Sequence, residues 1–176
     1  IAGAAGPAAA VTNGYAGGIA PGVHLVNVRV IGAAGVGYTS DVIAGIDWVI
    51  ANRTRYNIRV INLSLGHPVL ESPATDPLVQ MVERLVASGI VVVASAGNYG
   101  TNDQNQQVFG SITSPGISPY AITVGAIRTQ GTADRSDDEV APWSSKGPTL
   151  VDHIVKPDLV APGSKSRSSF APGICE

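Results

Sequence analysis

The chain has 176 residues, of which 44% are hydrophobic, 14% charged and 5% aromatic, with 21 glycines and a net charge of −2. That suffices for one domain with a sizeable core of Val, Ile, Leu and Ala and many glycine-bearing loops. The absence of a basic cluster argues against nucleic acid or an anionic membrane as partner, and no apolar run reaches the roughly 18 residues of a membrane-spanning helix. The single cysteine, Cys175, excludes an intrachain disulfide. Together with His24, His67 and His153 it offers no zinc-type ligand set, and the histidines read as surface or loop residues.

The opening Ile1-Ala2-Gly3-Ala4-Ala5-Gly6-Pro7 has neither Met nor a basic leader and is no signal peptide. With the irregular stretch after Gly163, it suggests a piece of something longer. A strand is expected over His24–Ile31, broken by the glycines at 32, 35 and 37. Thr39, Ser40 and Asp41 offer caps for a helix to Asn52, with Val42, Ile46, Val49 and Ile50 on one face and Trp48 packed. A second strand, Val60–Leu65, stops at Gly66. The next helix is the most sharply marked: Asp76 as N-cap, Pro77 at the first helical position, apolar Leu78, Met81, Val82 and Leu85, and Gly89 as the stop. Strands follow at Ile90–Ala96, Ala121–Ala126 and, more briefly, Pro157–Val160, with a solvated acidic loop at Asp134–Glu139 between the last two. Strand and helix alternating in this way predict an α/β fold, a doubly wound and mostly parallel sheet with helices on both faces.

The third strand runs through Ser95, Ala96 and Gly97 into Asn98. Ligands of parallel sheets sit beyond the carboxyl ends of the strands, and a neutral amide N–H there is able to donate to an oxyanion without titrating. The plainer reading of the same residues is a Gly-Asn turn. A dinucleotide fingerprint is the competitor at Gly32, Gly35 and Gly37, but the spacing is G-x-x-G-x-G rather than G-x-G-x-x-G, and the strand ending at Gly66 carries no acidic residue for a ribose.

Several segments together decide the matter: Asn62-Leu63-Ser64-Leu65-Gly66, Ala94-Ser95-Ala96-Gly97-Asn98, Ser114-Pro115-Gly116, Thr123-Val124-Gly125-Ala126, Trp143-Ser144-Ser145-Lys146-Gly147-Pro148 and Lys156-Pro157-Asp158-Leu159-Val160-Ala161-Pro162-Gly163. In this order and at these spacings the chain resembles the subtilisin-like serine proteases, from about residue 1 to residue 163, as the central portion of their catalytic domain truncated at both ends. Residues 164–176 read as an irregular tail. The resemblance implies peptide-bond hydrolysis by an Asp, a His and a Ser, with Asn98 as the amide of the oxyanion hole. It implies that Ser64, Leu65 and Gly66 pair with the substrate backbone, with Gly35, Val36 and Gly37 on its other side. Ser95, Ala96 and Gly97 would form one wall of the primary specificity pocket, and Thr113 and Ser114 its floor and opposite wall.

The family's Asp-Ser/Thr-Gly, His-Gly-Thr-His and Gly-Thr-Ser-Met-Ala motifs do not occur in this sequence. No Ser stands in a Gly-x-Ser-x-Gly elbow, and His153 beside Asp152 reads as loop chemistry. The expectation is a protease core that holds the cleft and the oxyanion Asn without the triad, and that is inactive alone; the alternative is a non-enzymatic peptide-binding module using the same cleft. A polypeptide is the expected partner, with self-association through exposed truncated edges as a further expectation. No cofactor is expected, the resemblance leaving calcium open without a site, and a secreted or extracytoplasmic location follows from resemblance alone.

Overall fold

Parallel strands need crossovers, and in the computed structural model, which describes residues 20, 22–130 and 134–163, the crossover from the first strand to the second is a segment with helical periodicity. The chain divides into two units, Ile1–Asn27 with Lys165–Glu176, and Val28–Ser164. In the first, Val23 N–H donates to Ala20 O at 3.3 Å; the tail expected over 164–176 lies outside the described residues. The second holds α1 (Thr39–Asn52), β1 (Val60–Leu63), α2 (Pro77–Ala87), β2 (Val91–Ser95), β3 (Ile122–Arg128), β4 (Glu139–Val140) and β5 (Leu159–Pro162).

β1 pairs with β2 and β2 with β3, both in parallel, in the register Asn62 to Val93 and Ala94 to Thr123. β5 joins β3 in parallel, and β4 joins it antiparallel. The Ile/Val run of β2 is thus a central strand, and its buried Val92 and Ala94 face the main core with Leu63, as alternation requires. Onto that face α1 lays Val42, Ile46 and Val49, and α2 lays Leu78, Met81, Val82 and Leu85. The α2 start follows the expected chemistry: Asp76 Oδ1 accepts from the N–H groups of Leu78 (2.8 Å) and Val79 (3.2 Å), behind Pro77. At its end Gly89 takes φ +84°, a conformation that costs a side chain but not glycine.

Four expectations are corrected. The strand over His24–Ile31 is not formed: residues 23–30 join no ladder among the described strands, and the division between the two units falls inside it. Val28 and Val30 still alternate with exposed Arg29 and pack on the core, so the segment has a strand's faces without a strand's neighbours. None of Thr39, Ser40 or Asp41 caps α1. The helix begins at Thr39, so the cap position falls to Tyr38, whose side chain makes no capping bond. Trp48 is 40% exposed and stacks on Tyr56 with centroids 5.6 Å apart, because it lies off the Val42–Ile46–Val49 stripe. The acidic loop ends in a strand, since Glu139 and Val140 pair with Arg128 and Ile127.

Both helices of the described residues share the one sheet face, joined by an Arg84–Asp47 ion pair at 3.0 Å. The β2–β3 connection contains turns and no helix, which leaves Val91 and Ile122 exposed. No helix among the described residues is long and apolar enough to cross a membrane.

Candidate functional site

The carboxyl ends of β1 and β2 point the same way, so the segments that follow them emerge side by side. After β1 come Ser64, Leu65 and Gly66; after β2 come Ala96, Gly97 and an exposed Asn98. A third segment, Thr113–Gly116, is stitched to both. Thr113 N–H donates to Ala96 O (3.0 Å), while His67 and Ser114 exchange backbone hydrogen bonds of 3.0 and 3.1 Å. Behind these loops Val79, Ala96, Ile112 and Ile117 form a second buried cluster.

Close backbone approach explains the glycines. A Cβ on Gly66 would lie 2.6 Å from Ser114 O, and one on Gly97, at φ +107°, would lie 2.8 Å from both Ser145 Oγ and Thr113 Cγ2. Ser145 completes the stitching: its N–H donates to Gly97 O (3.0 Å) and its Oγ accepts from Tyr99 N–H (3.0 Å), which holds the backbone on both sides of Asn98. The backbone flanking Asn98 is therefore held by two other segments, the one bearing Thr113 and the one bearing Ser145.

On the other side of Ser64–Gly66 lies a cleft of about 360 Å³. Gly35, Val36 and Gly37 form its facing wall, and the first turn of α1 and Leu78 contribute to its lining. Val36 and Tyr38 are 73% and 78% exposed, so the wall is apolar and open to solvent. The two walls are backbone-rich segments, which suits an extended chain laid between them. A smaller hollow of about 170 Å³ lies among Val69, Tyr99, Ile112, Thr113 and Leu150.

The structure thus brings Gly35–Gly37 and Ser64–Gly66 together across one cleft, and Ser95–Gly97, Thr113 and Ser114 together beside Asn98. Thr113 and Ser114 are buried, at 4% and 0% exposure, and Ser114 Oγ has no hydrogen-bond partner. Sequence reading gave no role to three residues here. His67 lines the cleft with Nδ1 2.8 Å from Pro68 O, Tyr38 lines it beside Gly37, and Ser145 holds the Asn98 loop. Only Ser145 had a signal, its place in the Trp143–Pro148 segment. Among the described residues no three His, Cys, Asp or Glu side chains gather to hold a metal ion.

Farther along, Lys156 is buried and its Nζ donates to Ala121 O (2.8 Å) and Asp158 Oδ2 (2.7 Å). Burial pushes the Asp158 carboxyl up, but hydrogen bonds from Lys156 and from Thr123 N–H outweigh it and hold the group below its ordinary value. This clip fastens the start of β3 to the segment entering β5.

Comparison with known proteins agrees with this layout. The model of the subtilase family matches residues 2–174. The serine protease AprX of Bacillus subtilis (strain 168) is 39% identical over 172 residues, covering 93% of this chain and 36% of that protein. Subtilisin E of the same organism is 35% identical over 156 residues, covering 89% of this chain and 34% of the relative. The chain therefore spans about a third of the length of these curated relatives. Among solved structures, sphericase superposes with a TM-score of 0.69 at 28% identity, covering 88% of this chain and 48% of that one. With the family model matching almost from end to end and the strand-end loops assembled as described, the chain belongs to the subtilase family.

Proposed function

We propose that this chain is the cleft-bearing part of a serine endopeptidase, in which Asn98 donates to the oxyanion of the tetrahedral intermediate. The observation that carries the proposal is the cleft walled by Gly35–Gly37 on one side and Ser64–Gly66 on the other, opening beside the strand end that presents Asn98. An extended peptide laid there forms backbone hydrogen bonds with one or both walls, as an added strand does. In the whole protein a Ser hydroxyl attacks the peptide carbonyl, a His takes its proton, and the Asn98 amide N–H meets the oxygen as it becomes tetrahedral and negative. No cofactor enters these steps. The motifs expected to carry the Asp, His and Ser are not in this sequence, so the chain alone binds peptide and does not cut it. Membership of the family supports a secreted or extracytoplasmic location for the protein.

Two measurements test the reading. A fluorophosphonate probe added to the isolated chain labels no serine, and stoichiometric labelling of any one Ser refutes the predicted inactivity. Gly66→Val weakens binding of an extended peptide by displacing the Ser64–Gly66 wall, because its Cβ would lie within 3 Å of Ser114 O and Thr113 Oγ1. Unchanged binding by a folded Gly66→Val protein overturns the cleft assignment.

A further inference from the structure

Of the side chains that line the cleft among the described residues, Val36, Val42, Leu65 and Leu78 are apolar, and only Tyr38 and His67 are titratable. A phenol stays neutral through the range, about pH 5 to 8, in which an imidazole changes its charge. His67 is therefore the one lining group able to put a charge into the cleft near neutral pH. It is also fixed in place. Its N–H donates to Ser114 O (3.0 Å) and its carbonyl accepts from Ser114 N–H (3.1 Å), while Nδ1 lies 2.8 Å from Pro68 O. Since a carbonyl only accepts, Nδ1 carries the proton of the neutral ring, and Nε2 is left as the nitrogen that gains or loses one. Nothing acidic in the lining competes for it. The Thr113–Gly116 segment paired with its backbone has no titratable side chain, and on its own segment Glu71 is exposed and outside the lining. The helices carry Asp41, exposed in the first turn of α1, and Asp76, whose Oδ1 is bonded to the start of α2; neither lines the cleft. None of the ion pairs among the described residues includes His67.

We infer that His67 is a specificity-determining residue: with its ring protonated it takes an aspartate or glutamate side chain of the bound peptide, and the preference disappears once the ring is neutral. The inference rests on the peptide-cleft reading proposed above and adds to it the charge of the substrate and the pH at which that charge is selected. In a lining otherwise without charge, a protonated imidazole offers an N–H donor and a positive charge at one point, and a carboxylate answers both. The neutral ring presents Nε2 as an acceptor, so a carboxylate opposite it finds no donor there. Acidic peptides thus gain affinity below the imidazole range and lose the gain as pH rises through it.

The experiment uses the chain as it is, with fluorescently labelled alanine-based hexapeptides in which a single Glu, or its neutral isostere Gln, is moved along the sequence. Anisotropy gives the ratio of Glu to Gln affinity at each position, at about pH 5.5 and about pH 8. At one position the ratio is about three- to fivefold at the lower pH, the scale of an exposed ion pair, and about one at the higher. His67→Gln brings that ratio to about one at both pH values, and His67→Arg, whose charge does not titrate, keeps it raised at both. Should neither variant fold, NMR of the unaltered chain reads the same contact: the His67 ring takes up its proton at a higher pH with the Glu peptide than with the Gln peptide, while the rings of His24 and His153 do not distinguish them. A Glu to Gln ratio independent of pH at every position, a pH-dependent ratio that persists in folded His67→Gln, or a His67 ring indifferent to the two peptides overturns the inference. Failure of the all-alanine peptide itself to bind overturns the peptide-cleft reading and this inference with it, which separates the two failures.

Discussion

Replacing Gly97 by alanine separates two costs that the structure assigns to the loop bearing Asn98. Backbone at φ +107° is unfavourable for any residue with a Cβ, by about 1–2 kcal/mol. The added methyl would also lie 2.8 Å from Ser145 Oγ and 2.8 Å from Thr113 Cγ2, an overpacking that costs about 1–3 kcal/mol in a filled interior. The sum is about 2–5 kcal/mol, a large share of the roughly 5–15 kcal/mol that holds a domain together. Gly89→Ala provides the control. At φ +84° it suffers the backbone cost, but its Cβ meets nothing within 4 Å. Both substitutions restrict the unfolded chain alike, so that effect cancels in the comparison. Urea unfolding followed by the fluorescence of Trp48 and Trp143 measures the difference. With a slope of about 2 kcal/mol per molar, the Gly97→Ala midpoint falls below that of Gly89→Ala by about 0.5–1.5 M. Coincident midpoints would mean that the space around Gly97 is not filled, and the pinning of the Asn98 loop by Thr113 and Ser145 would fall with it.

In a protein carrying this chain together with the family's triad segments, Asn98→Ala lowers kcat by about 10²–10³ with little change in KM, the magnitude known for subtilisin itself. A raised KM with kcat intact would make Asn98 a turn residue instead. The Asp158 carboxyl is held below its ordinary value of 3.8, so its contribution to stability is fully present above that pH and is lost as pH falls through the lowered folded value; Asp158→Asn flattens the acid limb of a stability-against-pH curve below about pH 4. An unchanged acid limb would show that the Lys156–Asp158 clip does not report on folding. Val60 on β1, the end strand of the described sheet, is 58% exposed, and the chain self-associates through that edge in sedimentation velocity while Val60→Lys weakens the association. A monomer at all concentrations would refute the edge as a contact.

The parts of this fold legible in the sequence are those in which one local interaction decides. Asp76, Pro77 and Gly89 mark α2 because a capping carboxylate, a proline without N–H and a left-handed glycine each act within a few residues, and the structure uses all three. The Ile/Val run of β2 is legible because both its edges are paired and Val92 and Ala94 face the core, which leaves an apolar signature. The segment His24–Ile31 has a similar composition and fails as a strand, since pairing depends on a neighbour that composition cannot report. α1 offered three candidate caps and used none, because its first turn is fixed by the packing of Val42 and Ile46 rather than by its end.

The candidate site divides in the same way. Asn98 and the Ser64–Gly66 segment are legible because strand ends in parallel sheets are where ligands go, and the small residues there announce close approach. What Thr113 and Ser145 do is not legible, because each acts at a distance in sequence: Thr113 is 47 residues from Gly66 and Ser145 is 48 residues from Gly97, and their contacts exist only once β1, β2 and β3 have aligned. Those two side chains turn three separate loops into one rigid frame. Asn98 itself stays exposed, while its backbone is held by Ser145 on either side and by Thr113 beneath Gly97. A substitution that removes the Thr113 side chain therefore loosens the loop that carries Asn98 as well as the Ser64–Gly66 wall beside it.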